Sequence, residues 1–364
     1  MRVLQVVTNM DRGGLETMLM NYYRHMNRER VQFDFLVHRQ ERAAYDDEIE
    51  ALGGKIYRLP RLVPWSKSYL SALNCFYDEH PEYKIVHVHQ DCLSSVILKV
   101  AKKHGVPVRI AHSHTTCQDK DIKYPVKLLC MRSIPEYATH LFACSAAAGD
   151  WMFRGREYQL LANAVDTEQF LFSADRAVKI RETLGLAQNT YLIGHVGSFW
   201  RPKNHSFLVD IFAKVVARAP DARLLLVGDG GRLLEIKEKV ASLNLSDKVI
   251  FTGVRSDIPD LMQAMDVFAF PSLYEGLGIV LIEAQASGLP CIVSDTIPPE
   301  AYLTDLVFPK KLSASPEEWA DVILEKRNTP RTDHSAEIAA HGFDITTEAV
   351  KLQEFYLSAY EQNC

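Results

Sequence analysis

Short apolar segments of strand length alternate with helical segments along almost the whole chain. The predicted strands are residues 2–8, 33–38, 55–59, 85–89, 108–112, 140–144, 159–161, 191–196, 222–227, 249–252, 266–270, 290–294 and 305–308. Strands that alternate with helices form parallel sheets whose two faces are covered by helices. The alternation therefore predicts an α/β fold, with ligands bound at the carboxyl ends of the strands.

A polar segment near residues 164–188 separates two series of this alternation. Residues 1–168 are predicted to form an N-terminal domain, and residues 186–346 a smaller C-terminal domain. A last helical pattern near residues 347–364 is apolar enough to pack on another element, and it is predicted to join the N-terminal domain. A chain of 364 residues is long enough for two domains of ordinary size.

Charge and cysteine content exclude some classes of function. The net charge of −5 argues against a nucleic-acid partner. Residues 1–170 carry 22 Lys and Arg against 20 Asp and Glu, so this mildly basic half suits an anionic acceptor or lipid, or reflects compositional drift. The seven cysteines form no CxxC motif, and no apolar run is long enough to span a membrane. We therefore expect a cytoplasmic protein with reduced thiols and leave open peripheral contact with the inner face of the cell membrane.

Two glycines follow the first predicted strand. Gly13 and Gly14 precede a helical segment, and the absence of their side chains lets a ligand approach the backbone. The segment lacks the GxGxxG pattern of dinucleotide-binding folds. A plain strand-to-helix turn also explains a lone glycine pair, so both interpretations stay open.

Histidines recur at the ends of two consecutive predicted strands. His87 and His89 belong to the first, and His112 and His114 come at the end of the second. Alternate residues of a strand share a face, so the members of each pair are expected to point the same way. A metal site needs a third ligand and a defined geometry, which the spacing does not supply. We expect no metal here. A polar contact to substrate is favoured, with a structural role as the alternative for His87 and His89.

Residues 119–132 contain two further patterns. Asp119 and Asp121 form a DxD motif, which can hold a divalent metal on a nucleotide diphosphate, but here it lies in a polar loop and is interpreted as solvated. Residues 123–132 mix basic and apolar side chains. That mixture is typical of a helix lying on a membrane surface and equally of an ordinary half-buried helix.

Three loops of the C-terminal domain follow predicted strands. They comprise residues 197–204, 228–231 and 253–257. Arg201 and Lys203 in the first loop precede a helix and could neutralise a diphosphate, although a solvated basic turn has the same composition. Together with residues 275–278, these loops are expected to line one edge of a sheet.

The most specific stretch is residues 271–284, which follows the predicted strand 266–270. Glu275 lies at a glycine turn, and Glu283 lies eight residues later in an apolar helix. Backbone N–H groups at a helix start, together with the helix dipole, attract anions such as a diphosphate. A diphosphate with a carboxylate on each side describes a nucleotide-sugar site.

Several motifs occur in an order that resembles the GT-B retaining glycosyltransferases of family 4, in particular their bacterial capsular and exopolysaccharide branch. They are Gly13-Gly14-Leu15-Glu16, Asn163-Ala164-Val165-Asp166, Lys203-Asn204, Gly228-Asp229-Gly230 and the pair Glu275 and Glu283. The resemblance covers nearly the whole chain. It implies two Rossmann-like, doubly wound parallel-sheet domains that face each other across a cleft, with the donor in the C-terminal domain and the acceptor in the N-terminal one.

The resemblance also implies roles for individual residues. Glu275 would contact the donor sugar, Glu283 the ribose, and Lys203 the phosphates. The implied donor-binding residues are Gly13, Gly14, Gly197, Ser198, Lys203, Gly228, Val254, Arg255, Glu275, Gly276, Leu277, Gly278 and Glu283. The implied catalytic residues are Glu275, His114, His112, Lys203 and Arg201.

One residue departs from the family pattern, and the assignment of one histidine is ambiguous. Many members carry arginine where this chain has Ser198, and Arg201 is interpreted as its replacement. His112 and His114 straddle the position of the histidine expected from the acceptor domain, and His114 is favoured because it lies further beyond the strand.

The implied reaction is a metal-independent, retaining transfer of a hexose that requires no cofactor. The donor would be a nucleotide-sugar, with UDP favoured, and the acceptor a glycan or a lipid-linked sugar in bacterial capsular or exopolysaccharide synthesis. One alternative is a non-catalytic member that binds a nucleotide or a partner, which only Ser198 favours. Another is a sugar-nucleotide epimerase or a phosphorylase that reuses the same cleft.

Overall fold

The computed structural model describes residues 1–116 and 124–363, so Asp119 and Asp121 of the DxD motif lie outside the described residues. The chain divides into two compact units. The N-terminal unit comprises Met1–Ala164 and Ile345–Cys364, and the C-terminal unit comprises Val165–Asp344.

The N-terminal unit contains a seven-stranded parallel sheet within the described residues. Its strands are β1 Arg2–Val6, β2 Gln32–Val37, β3 Ile56–Arg58, β4 Ile85–Val88, β5 Val108–Ser113, β6 His140–Ala143 and β7 Gln159–Leu160, in the spatial order β3-β2-β1-β4-β5-β6-β7. Its helices before the second unit are α1 Gly14–His25, α2 Asp46–Ala51, α3 Lys67–Glu79, α4 Ser94–Lys103, α5 Tyr124–Tyr137 and α6 Ala146–Phe153. Consecutive strand residues point to opposite faces of the sheet, so Val3 and Leu4 belong to separate buried clusters.

The C-terminal unit contains a six-stranded parallel sheet. Its strands are β8 Tyr191–Val196, β9 Ala222–Val227, β10 Val249–Gly253, β11 Val267–Phe270, β12 Cys291–Ser294 and β13 Val307–Lys310, in the order β10-β9-β8-β11-β12-β13. Its helices are α7 Thr167–Phe170, α8 Ala174–Thr183, α9 His205–Arg218, α10 Leu233–Ser242, α11 Ile258–Ala264, α12 Ile279–Ala286, α13 Pro316–Glu325 and α14 Ser335–Ala340.

The last helix, α15 (Ile345–Asn363), packs on the N-terminal unit beside α1. Its Tyr356 is fully buried, and the Tyr356 hydroxyl accepts a hydrogen bond of 3.2 Å from the side-chain amide of Gln5 on β1. The end of the chain therefore forms part of the first core.

Helices α7 and α8 occupy the polar segment that the sequence suggests as a linker. Helix α8 is attached to the C-terminal unit by ion pairs, of Arg176 with Asp260 at 2.6 Å and of Arg181 with Asp266 at 2.8 Å. A helix held in this way has little apolar periodicity, which is why its sequence resembles a loop.

The predicted α/β fold is confirmed, because both units have parallel, helix-covered sheets. The cysteines Cys75, Cys92, Cys130, Cys144 and Cys291 are free. Among the described helices, none is both long and apolar enough to cross a membrane.

Candidate functional site

The sheet of the C-terminal unit has its topological switch point between β8 and β11. The chain continues from β8 to β9 on one side and from β11 to β12 on the other, so the connections after β8 and β11 diverge. A crevice at the carboxyl ends of such a strand pair is where open α/β sheets bind ligands. The connections are residues 197–204 and 271–278, both of which were predicted to belong to the site.

Two hydrogen bonds hold these connections together. The Leu273 N–H donates to the Pro202 carbonyl at 2.7 Å, and the Asn204 side-chain amide donates to the Pro271 carbonyl at 3.0 Å. Asn204 has φ of 54°, a left-handed conformation that asparagine tolerates better than most residues. It ends the short 3₁₀ helix Arg201–Lys203 and is the N-cap residue of α9.

Lys203 and Glu275 form an ion pair in this crevice. The Lys203 Nζ lies 2.7 Å from Glu275 Oε1, and 5.1 Å from the centre of the Phe270 ring. The two side chains are 19% and 11% exposed, so both are largely shielded and still reachable from solvent. The pair offers a cation for a phosphate and a carboxylate for sugar hydroxyls.

Helix α12 begins directly after the glycine turn. Gly278 is its N-cap residue, with φ of 83°, and no side chain caps the helix. An L-residue is strained in that left-handed conformation, which explains the glycine. The first turn of α12 contains no acidic residue, so no carboxylate of the helix itself offsets the positive end of its dipole.

Glu283 lies inside α12 and is only 8% exposed. Burial raises the pKa of its carboxyl from 4.5 to about 7. A carboxylate in such a place needs hydrogen-bond donors, and the hydroxyls of a ribose would supply them.

The glycines of the other loops allow close contact between backbones. A β-carbon on Gly228 would lie 2.2 Å from the Gly197 carbonyl oxygen, and one on Gly230 would lie 2.8 Å from Phe199 N. The Gly197 N–H donates to Val227 O and the Gly228 N–H donates to Gly253 O, both at 2.9 Å. The loops after β8, β9 and β10 therefore form one continuous edge.

Three further predicted donor residues and the predicted catalytic residue Arg201 lie on the outside of that edge. Ser198 and Arg201 are exposed, and Val254 is 57% exposed. Arg255 pairs with Asp257 of its own loop at 2.5 Å. All four lie in the loops that follow β8 and β10.

Two buried histidines beneath the crevice were not singled out from the sequence. His195 on β8 has its Nδ1 2.8 Å from Ala269 O, and the His205 ring stacks on Phe199 at 4.0 Å between centroids. Burial lowers the pKa of His195 to about 4 and that of His205 to about 2, so both are neutral. His195 occupies a buried strand position where an aliphatic residue is usual, a signal that could have identified it.

In the N-terminal unit, Gly13 is the N-cap residue of α1 and Gly14 its first residue. The volume left free by Gly13 is occupied by the side chain of Glu16, since a β-carbon there would lie 2.4 Å from Glu16 Oε2. Burial raises the pKa of Glu16 to about 7.

The four histidines predicted at strand ends form one cluster in this unit. Ring centroids lie 4.3 Å apart for His87 and His89 and 4.0 Å apart for His112 and His114. His112 is completely buried, whereas His114 is partly exposed, as expected for the residue further along the chain. A pocket of about 200 Å³ opens beside the cluster and is lined by Thr8, His89, Gln90, Asp91, Cys92, Leu93 and Lys127.

Two family profiles match the chain, one in each half. "Glycosyltransferase Family 4" matches residues 12–169, and "Glycosyl transferases group 1" matches residues 178–334. EpsF of Bacillus subtilis, provisionally named a glycosyltransferase, is 36% identical over 100% of this chain and 98% of its own length. An Escherichia coli UDP-Gal:α-D-GlcNAc-diphosphoundecaprenol α-1,3-galactosyltransferase is 28% identical over 59% of this chain and 58% of its own length.

A solved structure shares the fold over almost the full length. Anabaena HepE in complex with UDP and glucose superposes with a TM-score of 0.82 at 21% identity, covering 98% of this chain and all of that one. Both the B. subtilis and the E. coli relative are named as enzymes that transfer sugars. The chain belongs to the family 4 glycosyltransferases with the GT-B fold.

Proposed function

We propose that this glycosyltransferase moves a hexose from a UDP-sugar to a glycan or lipid-linked acceptor in bacterial capsular or exopolysaccharide synthesis, with retention of configuration. The observation that carries the proposal is the Lys203–Glu275 ion pair beside the uncapped start of α12. In such a donor a single oxygen joins the phosphate to the sugar. A cation that binds the phosphate and a carboxylate that binds the sugar must therefore lie next to each other, as Lys203 and Glu275 do. UDP is printed in the name of the E. coli relative and in that of the HepE complex, which supports uridine as the base of the donor.

The donor occupies the C-terminal unit in this proposal. Glu275 accepts hydrogen bonds from hydroxyls of the transferred sugar, and Glu283 accepts them from the ribose. The backbone of Gly276, Leu277 and Gly278 and the ammonium of Lys203 contact the diphosphate. The edge formed by Gly197, Gly228 and Val254 borders the nucleoside, and its glycines let the backbone approach it.

Stabilisation of the leaving group supplies much of the rate in this scheme. As the bond from the sugar to the diphosphate breaks, negative charge grows on the phosphate oxygens. Lys203 and the start of α12 then interact with them more strongly than in the ground state. The acceptor hydroxyl attacks from the face that the diphosphate leaves, and its proton passes to the departing phosphate oxygen. Because a lysine and a helix dipole offset the charge, we propose that the transfer itself requires no metal.

The acceptor is assigned to the N-terminal unit. His114 is preferred over His112 as the histidine that contacts substrate, since only His114 reaches solvent. Helix α5 exposes Leu129, whose side chain is 69% accessible, on a segment that also carries Lys127 and Arg132. We propose that this segment contacts anionic lipid, which would bring the enzyme to a lipid-linked acceptor at the inner face of the cell membrane.

Purified protein incubated with panels of UDP- and GDP-sugars and lipid-linked acceptors tests the proposal. We expect thermal stabilisation by UDP, consumption of at least one UDP-sugar, and an anomeric configuration in the product identical to that of the donor. Chelation of divalent cations should leave the initial rate unchanged. Absence of both binding and consumption across the panel would rule out the enzyme, and an inverted product would rule out retention.

A further inference from the structure

The histidine cluster of the N-terminal unit has the composition of a metal site. His87 and His89 lie on one face of β4 because alternate strand residues share a face, and His112 lies on the adjacent strand β5. The ring centroid of His112 lies 5.2 Å from the ring centroid of His87 and 5.2 Å from that of His89. The register between the two strands therefore supplies the third ligand that the spacing in the sequence could not show.

The ring nitrogens of these residues converge. One ligand atom from each of His87, His89 and His112 lies within 4.8 Å of the other two. A tetrahedral zinc ion with Zn–N distances of about 2.0–2.1 Å requires nitrogens roughly 3.4 Å apart.

Several of these nitrogens are buried without a hydrogen-bond partner. His87 and His112 are 1% and 0% exposed. His87 Nε2 and both ring nitrogens of His112 have no partner within the described residues. A set of merely structural histidines would pair these atoms, because a buried polar atom left unpaired is costly. A bound cation would satisfy one nitrogen on each ring.

Neighbouring polar groups orient two of the rings from the outside. His87 Nδ1 lies 2.7 Å from the Tyr356 hydroxyl, and His89 Nε2 lies 2.9 Å from Gln5 Oε1. Metal-binding histidines characteristically use the second ring nitrogen in this way, which fixes the tautomer. His89 keeps its contact with Gln5 and exchanges its 2.9 Å contact with His114 for the ion.

The cluster lies beside a pocket. His89 forms part of the wall of the pocket of about 200 Å³, so this pocket borders one of the three rings.

We propose that His87, His89 and His112 bind one zinc ion, with water as the fourth ligand. Imidazole nitrogens favour zinc over magnesium or calcium, which prefer oxygen ligands. The ion joins β4 to β5 and, through His87 and Tyr356, connects both strands to α15. The ion belongs to the N-terminal unit, and the proposal does not depend on the one made for the donor.

Metal content of the full chain tests the site. Protein is stripped with a chelator, loaded with zinc sulfate and passed through gel filtration, and it should retain about one zinc per chain. The extended X-ray absorption fine structure of this zinc should show nitrogen ligands near 2.0 Å. Cobalt loading should give the visible bands of a tetrahedral ion. Retention of less than about a tenth of an equivalent by the folded wild-type protein would overturn the proposal.

Variants test the ligand set. His112→Asn and His87→Phe should lose the ion, while His114→Gln and His341→Gln, a control in the other unit, should retain it. Because a core substitution can unfold the unit, zinc should also raise the melting temperature of the wild-type protein and not that of His112→Asn. Full retention by His112→Asn, or loss in His114→Gln, would show that the assigned ligands are wrong.

Discussion

The Lys203 Nζ lies 2.7 Å from Glu275 Oε1, although 72 residues separate the two in the chain. The ion pair joins the connections that follow β8 and β11, the two strands that flank the switch point of the second sheet. In the absence of substrate, each charge is neutralised by the other. A donor would provide a phosphate for the lysine and hydroxyls for the carboxylate, so each partner of the pair can be tested separately.

Replacement of Lys203 by alanine should lower kcat/KM by about 10²- to 10³-fold, since loss of one donor to a developing anion typically costs on the order of 3 kcal/mol. The affinity for UDP should also fall, because the lysine contacts the diphosphate in the ground state as well. Initial rates over a range of donor concentrations, together with calorimetric titration of UDP, measure the two effects.

Lys214→Ala is the matched control for this substitution. Lys214 forms an ion pair of similar length with Glu317, but that pair is about half exposed and lies on α9 and α13. Exposed pairs contribute little, so the control should behave like the wild type. Equal losses in the two variants would mean that Lys203 acts through general charge and not through the diphosphate.

Glu275→Gln should abolish transfer while the binding of UDP largely survives. The amide keeps the size of the side chain but cannot accept hydrogen bonds with the strength of a carboxylate, and UDP lacks the sugar that Glu275 is proposed to contact. Turnover and the UDP dissociation constant should therefore separate in this variant. Wild-type turnover by Glu275→Gln would refute the role that we assign to the carboxylate.

The architecture could be read from the sequence because its strands are buried on both faces. Residues 191–196 and 222–227 are predicted as strands, and the structure has β8 and β9 at those positions. Helix α8 was missed because charged pairs, such as Arg176 with Asp260, hold it in place. Periodicity detects an apolar face and gives no signal for attachment by ion pairs.

The site could be predicted only in part. Gly278 and Glu275 were recognisable because a glycine turn before an apolar helix is a local pattern. The proximity of His112 to His87 and His89 depends on the pairing of β4 with β5, which no local pattern specifies. The hydrogen bond from the Asn204 side-chain amide to the Pro271 carbonyl likewise depends on which strands are neighbours in the sheet.

Gly228→Ala should destabilise the C-terminal unit by about 2 kcal/mol or more, because φ of 136° is costly for alanine and its β-carbon would lie 2.2 Å from the Gly197 carbonyl oxygen. The displaced loop should also weaken UDP binding. Gly253→Ala provides the comparison, since its φ is 70° but no atom lies within 4 Å of the added carbon. It should cost only about 1 kcal/mol. Chemical denaturation measures both, and a Gly228→Ala protein as stable as Gly253→Ala would contradict the close packing of the two loops.

The pH dependence of stability should distinguish the wild type from Glu283→Gln. The Glu283 pKa is raised from 4.5 to about 7 by burial, so between these values the folded state holds a proton that the unfolded state has released. Stability relative to the always neutral glutamine variant should therefore be greatest below pH 4.5 and fall as pH rises to about 7, by up to about 3 kcal/mol in total. Denaturation curves at pH 4.5, 6 and 8 measure this difference.

Nucleotide binding should reverse that trend if Glu283 holds the ribose. Hydroxyls that donate to the carboxylate favour its charged form, so UDP should bind more tightly as pH rises from 6 to 8 and should displace a proton over that range. Glu283→Gln should bind UDP more weakly and displace fewer protons, because only the terminal phosphate of UDP then titrates in this range. Titration calorimetry in two buffers of different ionisation enthalpy counts the released protons. The same proton release in the glutamine variant would assign it to another group, and the ribose would then have to be placed elsewhere.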